Sequence, residues 1–372
     1  MKVLYLTNIP SPYRVDFFNE LGKLCDLTVL FERNNAQGRN EQWFEKKCQN
    51  YKAIFLKSKE LQSDGALSFE ILKYLKKTYD IIVIGGYSTP TSMLAINYLK
   101  VKKKSFLLNA DGGFINPTEN KLKRAIKKYF ISSATFWLST GKETSEYLKY
   151  YGADENRIFK YPFSSIIMDN IVESPISINE KQRLKKELGV SAEKVVLTVS
   201  QFIYRKGIDV LINAWGKINY HNKSELIIVG GGELKNQYQQ MVEEKKCLNI
   251  RIIDFQVQNE LLKYYKISDF MVLPTREDIW GLVINEAFAN ALPVITTDKC
   301  IAGLELIEDS QNGFIVPTNN VSILVDKINL LLSNDSLLLN ISKNNLEKIR
   351  PYTIENMAYK HIDIFKEIRS NF

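Results

Sequence analysis

A chain of 372 residues, 45% hydrophobic and 25% charged, is too long for a single core and reads as a globular protein of two domains. Its four cysteines, Cys25, Cys48, Cys247 and Cys300, are scattered with no short pairing, so neither a disulfide framework nor a zinc site is indicated. The net charge of +8 is uneven, +10 over residues 1–165 and −2 over 166–372, yet no aromatic-basic motif or helix-turn-helix pattern accompanies it, so nucleic acid is not an expected partner. Strand-like apolar runs alternate with helical periodicity throughout, the pattern of parallel sheets covered by helices. In the first half the predicted strands are Val3–Thr7, Leu27–Phe31, Ala53–Leu56, Ile81–Ile84, Ser105–Asn109 and Phe136–Ser139. The predicted helices are Tyr13–Leu24, Phe69–Lys77, Thr91–Leu99, Leu122–Phe130 and Lys142–Tyr151. Residues 173–190 read as a linker and an opening helix. Strands then follow at Val195–Val199, Leu226–Val229, Ile250–Ile253, Phe270–Leu273 and Val294–Thr296. A last helix, Ile354 to Ile368, follows Pro351.

The apolar run after Lys2 reaches Asn8-Ile9-Pro10 too soon for a signal peptide. The longest uncharged stretch, Ile81 to Leu99, contains Gly85, Gly86 and Pro90 and does not read as a membrane span. The expected location is cytoplasmic. The basic segments 102–104 and 121–128, the second with Leu122, Ile126 and Phe130 on a helical face, suit either a solvated helix or an anionic membrane surface.

Three segments carry candidate chemistry. Val199-Ser200-Gln201 ends a strand, and Arg205-Lys206-Gly207 opens a helix. That places two cations and backbone donors together, suited to a diphosphate. Gly230-Gly231-Gly232 turns from a strand toward a helix, which serves close ligand approach or tight packing equally; the spacing after it does not fit a nicotinamide site. In Glu277-Asp278-Ile279-Trp280-Gly281-Leu282-Val-Ile-Asn-Glu286, two carboxylates stand eight residues apart across a strand-to-helix turn. Asp278 lies in the loop, Glu286 inside the helix, and the amides of Trp280, Gly281 and Leu282 stand at its start. In the first half, Asp111-Gly112-Gly113 follows a strand, as a turn or as a functional acid at the sheet edge. His221 and His361 stand alone, and no Asp-x-Asp or His/Cys ligand cluster follows a strand, so no metal is expected.

The 278–286 segment, continued by Ala291-Leu-Pro293-Val-Ile-Thr-Thr-Asp298 and Asn312-Gly313, resembles the E-x7-E signature of the family-four retaining glycosyltransferases. The Lys206-Gly207 stretch is similar to the same family's G-R-L-x-x-x-K-G run, with Ser200 and Gln201 in place of its Gly and Arg. The resemblance implies the GT-B fold: an α/β chain of two doubly wound, Rossmann-like domains facing a central cleft. The expected domains are 1–165 for the acceptor and 166–352 for the nucleotide sugar, with 353–372 a helix crossing back to the first domain.

The resemblance also implies metal-independent transfer of a hexosyl or N-acetylhexosaminyl group, with retention, and no cofactor. The donor would be a nucleoside-diphosphate sugar such as a UDP-sugar, and the acceptor a glycan linked to a lipid diphosphate, as in bacterial capsule assembly. Lys206 and Arg205 would hold the diphosphate, and Glu286 the ribose. Asp278, or Glu277 if the register shifts by one, would face the donor sugar. Gln201, Gly230, Gly232 and the Trp280-Gly281-Leu282 amides would line the donor site, and Asp111 would serve the first domain. Gln201 and Asp278 depart from the family pattern, which leaves two rival expectations: a silent subunit that steadies an active partner, or a sugar-nucleotide epimerase of the same fold.

Overall fold

The computed structural model describes residues 1–34, 47–62, 65–220, 223–246 and 249–371; the expected loop at His221 and the thiol of Cys247 lie outside them. Two compact units emerge. One comprises Met1–Ser165 with Tyr352–Phe372, the other Ile166–Pro351.

In the first unit the strands are β1 (Lys2–Thr7), β2 (Asp26–Phe31), β3 (Lys52–Phe55), β4 (Lys59–Gln62), β5 (Gly65–Leu67), β6 (Ile81–Gly85), β7 (Leu107–Ala110), β8 (Phe136–Ser139) and β9 (Ile158–Lys160). All but β4 and β5, which pair with each other, form one sheet in the order β3-β2-β1-β6-β7-β8-β9. Every pairing within that sheet is parallel. Parallel sheets are covered on both faces, so their strands are continuously apolar. Val3, Leu4, Tyr5 and Leu6 of β1 are all buried. Helix Pro90–Val101 starts where Thr89 accepts from the Ser92 amide and Pro90 takes the first turn. The C-terminal helix Ile354–Asn371 packs on helix Pro12–Gly22, with the His361 ring 4.7 Å from that of Phe17.

The second unit holds β10 (Lys194–Gln201), β11 (Ser224–Gly231), β12 (Ile250–Ile253), β13 (Phe270–Leu273), β14 (Val294–Thr297) and β15 (Phe314–Val316), in the order β12-β11-β10-β13-β14-β15. These pairings are parallel too. Its core joins strand residues Val196, Leu226, Phe270 and Val272 to Trp215 and Leu211 of helix Ile208–Trp215.

Some element expectations shift. The helix expected at Phe69–Lys77 is only Ile71–Leu75, because Phe69 is exposed and Ser68 is held by the Lys57 carbonyl and the Thr91 hydroxyl. The strand expected at Ser105–Asn109 is Leu107–Ala110. The short edge strands β9 and β15 and the β4–β5 hairpin arise from pairing with neighbours, which periodicity over three or four residues does not carry.

One buried carboxyl makes the first unit sensitive to pH. Glu32, directly after β2, is 1% exposed. Its Oε1 accepts from the Thr89 hydroxyl at 2.6 Å and the Ser92 hydroxyl at 3.0 Å, and its Oε2 has no partner among the described residues. Burial pushes its pKa up to about 7, against the lowering effect of the two hydroxyls and Arg33. In the unfolded chain the group ionises near its ordinary value of 4.5. Its favourable contribution is therefore fully present below that value and is lost as pH rises through about 7. Glu32→Gln should stabilise the protein by about 2–3 kcal/mol at about pH 8 and change little at about pH 4.5, in denaturant titrations at the two values. Equal shifts at both would show that the carboxyl does not titrate in this window.

Candidate active site

In an open parallel sheet, ligands bind at the carboxyl ends of the strands where the strand order reverses. In the second unit that point lies between β10 and β13, since the chain runs outward through β11 and β12 and returns to the other side of β10. The loops after those two strands carry Arg205-Lys206-Gly207 and Thr275-Arg276-Glu277-Asp278. The structure brings them into contact.

Gly207 permits the approach. Its φ is +66°, and a Cβ there would lie 2.1 Å from the Pro274 carbonyl oxygen. With no side chain in the way, the Arg276 amide donates to the Arg205 carbonyl at 2.8 Å. The buried Thr275 hydroxyl is shared between the Arg205 and Glu277 carbonyls. Lys206 Nζ forms an ion pair with Asp278 Oδ2, their side chains 12% and 10% exposed. Asp278 Oδ1 accepts from the Trp280 amide at 3.4 Å. The Asp278 backbone is pinned as well, its amide to the Lys299 carbonyl at 2.8 Å and its carbonyl to the Ile301 amide at 3.1 Å.

This geometry separates the two adjacent acids. Asp278 points inward to Lys206, while Glu277 is exposed and contributes its carbonyl, which accepts from Arg205 Nη1 at 2.7 Å. The Arg205 guanidinium thus holds the neighbouring loop. Trp280 is buried, its Nε1 donating to Asn285 at 2.9 Å, and its amide is taken up by Asp278. Of the three amides expected at the turn, Leu282 opens helix Leu282–Ala289, where the first N–H groups have no intrahelical acceptor, and Gly281 precedes it at φ +98°. Glu286, half-buried in that helix, accepts from the hydroxyl of buried Tyr265 at 2.8 Å. Gln201 ends β10 beside Gly231. Gly230 and Gly232 meet a packing demand: a Cβ on them would lie 1.8 Å from the Ser200 oxygen and 2.7 Å from the Phe202 oxygen.

Sequence reasoning missed a second brace. Arg276 grips Asp209 through two bonds of 2.8 and 2.6 Å, donates to the Tyr204 carbonyl and Asn319, and lies 4.0 Å from the Tyr204 ring centroid. The signal was an arginine in the acid loop and an aspartate two residues past Gly207, which only the fold places together. Cys300 lies beneath the acid loop, its Sγ 3.1 Å from the Trp280 carbonyl; burial pushes its thiol up to about 12. Among the described residues no group of three or more His, Cys, Asp or Glu is disposed to hold a metal ion. Asp111 stands in the first unit, directly after β7, ion-paired with Arg14.

Residues 180–348 match the family model described as glycosyl transferases group 1. An uncharacterized glycosyltransferase of Methanocaldococcus jannaschii is 28% identical over 201 residues, 51% of this chain and 50% of that protein. The chain thus spans about half the length of that relative. Another relative is the N,N'-diacetylbacillosaminyl-diphospho-undecaprenol alpha-1,3-N-acetylgalactosaminyltransferase of Campylobacter jejuni, 20% identical over 319 residues, 82% of this chain and 81% of that protein. Among solved structures, Anabaena HepE in complex with UDP superposes with a TM-score of 0.77 at 15% identity, covering 100% of this chain and 99% of that one. Residues 180–348 are therefore similar to the glycosyl transferases group 1, and the chain takes the GT-B fold.

Proposed function

We propose that this protein transfers a sugar from a nucleoside-diphosphate sugar to a glycan acceptor, with retention of anomeric configuration and without a metal. The observation that carries this reading is Lys206, held against Asp278 at the strand-order reversal of the group 1 domain. An ammonium has three donors, and Asp278 occupies one. The others are suited to the oxygens of a leaving diphosphate, where charge develops as the glycosidic bond breaks. The Gly281 and Leu282 amides at the helix start add fixed dipoles of the same sign. Asp278 orients Lys206 and serves the donor sugar through that placement. Glu286, oriented by Tyr265, is suited to the ribose hydroxyls. The UDP of one HepE structure and the UDP-glucose of another support a UDP-sugar donor. The acceptor in this reading is a glycan on a lipid diphosphate, in line with the substrate that the Campylobacter relative's name states.

A membrane-borne acceptor would draw the enzyme to an anionic surface at the cytoplasmic face, and one helix of the first unit fits. Helix Lys121–Ile131 leaves Leu122, Ile126 and Tyr129 exposed at i, i+4 and i+7. Lys121, Lys123 and Lys128 are exposed around them. Two of its basic residues are otherwise engaged: Lys127 with Glu119 at 2.8 Å, and Arg124 over the Tyr150 ring at 4.7 Å. No helix among the described residues is long and apolar enough to cross a membrane.

Lys206→Ala should cut turnover of UDP-sugars on the order of 10²–10³-fold. It should also cost roughly 3 kcal/mol of stability, because it strands a buried carboxylate. Adding Asp278→Ala should restore most of the stability and none of the turnover. Recovery of both, or turnover within about twofold of the parent in Lys206→Ala, would defeat the diphosphate assignment. Glu286→Gln should raise the dissociation constant for UDP, read by titration calorimetry, since an amide accepts ribose hydroxyls less strongly than a carboxylate. Unchanged affinity would remove Glu286 from the nucleotide site. For the membrane, the protein should sediment with phosphatidylglycerol vesicles at low salt and much less at high salt. Changing Lys121, Lys123 and Lys128 to Gln should abolish sedimentation; equal recovery on neutral vesicles would count against the electrostatic reading.

A further inference from the structure

We propose that Arg276 is the positioning residue of Lys206: it grips the chain on both sides of that lysine and so sets where the ammonium stands. This role rests on the transferase reading for the chemistry of Lys206 and on geometry for its placement. Lysine carries its charge as a point on a flexible four-carbon stem. Asp278 holds only the tip of that stem. The position of the ammonium therefore also depends on how firmly the backbone below it is held.

That backbone is a single three-residue turn, Tyr204–Lys206, between β10 and helix Ile208–Trp215. Turns of this tight kind have poor hydrogen-bond geometry and little stability of their own. The Gly207 amide closes it on the Tyr204 carbonyl at 3.2 Å. Arg276 Nη1 donates to the same carbonyl at 2.7 Å. Past Lys206, Arg276 takes the Asp209 carboxylate, with Nη1 on Oδ1 at 2.8 Å and Nη2 on Oδ2 at 2.6 Å. One guanidinium thus holds the residue two before Lys206 and the residue three after it. Its own place is fixed in turn. Nε donates to Asn319 Oδ1 at 2.9 Å, the guanidinium carbon lies 4.0 Å from the Tyr204 ring centroid, and the Arg276 amide is on the Arg205 carbonyl.

The two ion pairs across these loops are reciprocal. The segment after β10 supplies the cation Lys206 and the acid Asp209, and the loop after β13 supplies the cation Arg276 and the acid Asp278. Their donors are used differently. Arg276 makes four hydrogen bonds of the five that a guanidinium can donate, all to protein groups. Lys206 gives one of three to Asp278 and keeps the others for a ligand. With side chains 14% and 28% exposed, the Arg276–Asp209 pair adds little as charge alone, whereas its two parallel bonds fix orientation. Arg276→Lys would keep the charge and lose the fork.

The test follows UDP release from UDP-glucose, UDP-galactose, UDP-N-acetylglucosamine and UDP-N-acetylgalactosamine with water as acceptor. The UDP dissociation constant, melting temperature and crystal structure are recorded for parent and variants. Arg276→Gln should lower kcat on the order of 10–100-fold, as misplacement of a catalytic group by about 1 Å does. KM should rise less than kcat falls, because the charge that Lys206 meets develops in the transition state. Arg276→Lys should recover only part of the loss, and carries the same tests if Arg276→Gln does not fold. In the Lys206→Ala background, Arg276→Gln should lower turnover no further. Lys181→Gln is the control, since it breaks a pair with Asp269, directly before β13 at the opposite end of that strand; it should lower the melting temperature and leave kcat unchanged. Crystals of Arg276→Gln should show Lys206 Nζ moved off Asp278 Oδ2. Unchanged kcat in Arg276→Gln, equal losses with and without Lys206, an equal loss in Lys181→Gln, or Lys206 still on Asp278 in the Arg276→Gln crystals would each overturn the positioning role. Failure of the parent to bind UDP would defeat the transferase reading separately, and the place of Lys206 Nζ in the crystals would still decide Arg276.

Discussion

The contact between Lys206 and Asp278 depends on a backbone constraint before it depends on charge. The loops after β10 and β13 converge because the strand order reverses between them, and they touch because Gly207 carries no Cβ against Pro274. Once they touch, three further ties hold them: the Arg276 amide on the Arg205 carbonyl, the Thr275 hydroxyl between two carbonyls, and the Arg276–Asp209 fork. The ion pair forms inside this frame with little side-chain entropy left to lose. Burying two charges costs desolvation that their attraction only partly offsets, so the pair is a weak device for stability. It is well suited to keeping a cation in one place.

Both units place charged groups just beyond the carboxyl ends of parallel strands. The strand interiors are mostly apolar on both faces, because helices cover the sheets. Beyond the strand ends the constraint relaxes. Glu32 after β2, Asp111 after β7, Lys206 after β10 and Asp278 after β13 all stand there. In the first unit, at and just beyond the strand ends, buried polar atoms stand without direct partners among the described residues, including Arg14 Nη1, Glu32 Oε2 and Asn109 Oδ1. Native structures carry few such atoms, and a concentration of them marks a place built for more than packing.

His361 shows the converse. It is fully buried among Phe17, Tyr161 and Phe365, with Nδ1 2.7 Å from the Met357 carbonyl oxygen. Burial holds its pKa down to about 3, so it stays neutral and Nδ1 carries the proton. Its place is in the packing of the C-terminal helix on helix Pro12–Gly22, and it adds no cation to the acid after β7.

The alternation of apolar runs and helical periods was enough to read two parallel α/β sheets, because period and hydrophobicity are local properties of the chain. The same holds for Lys206-Gly207 and for the eight-residue spacing from Asp278 to Glu286, where strand-to-helix turns have a short-range signature. Which of two adjacent acids points inward was not local. Glu277 and Asp278 have the same charge and differ by one position, and the choice follows from pinning of the Asp278 backbone between Lys299 and Ile301, residues supplied by the neighbouring strand's loop. Arg205 reads as a phosphate ligand from its charge, and only the fold shows that its Nη1 also donates to the Glu277 carbonyl. Gly230 and Gly232 read equally as ligand turn or packing, and only the fold shows that a Cβ on either would meet the Ser200 or Phe202 carbonyl oxygen. Arg14 gave no signal at all, since its partner lies 97 residues away. Sequence determines what each segment can form, because propensity and periodicity act over a few residues; tertiary structure decides which charges meet, because burial and register bring together residues that the chain keeps far apart.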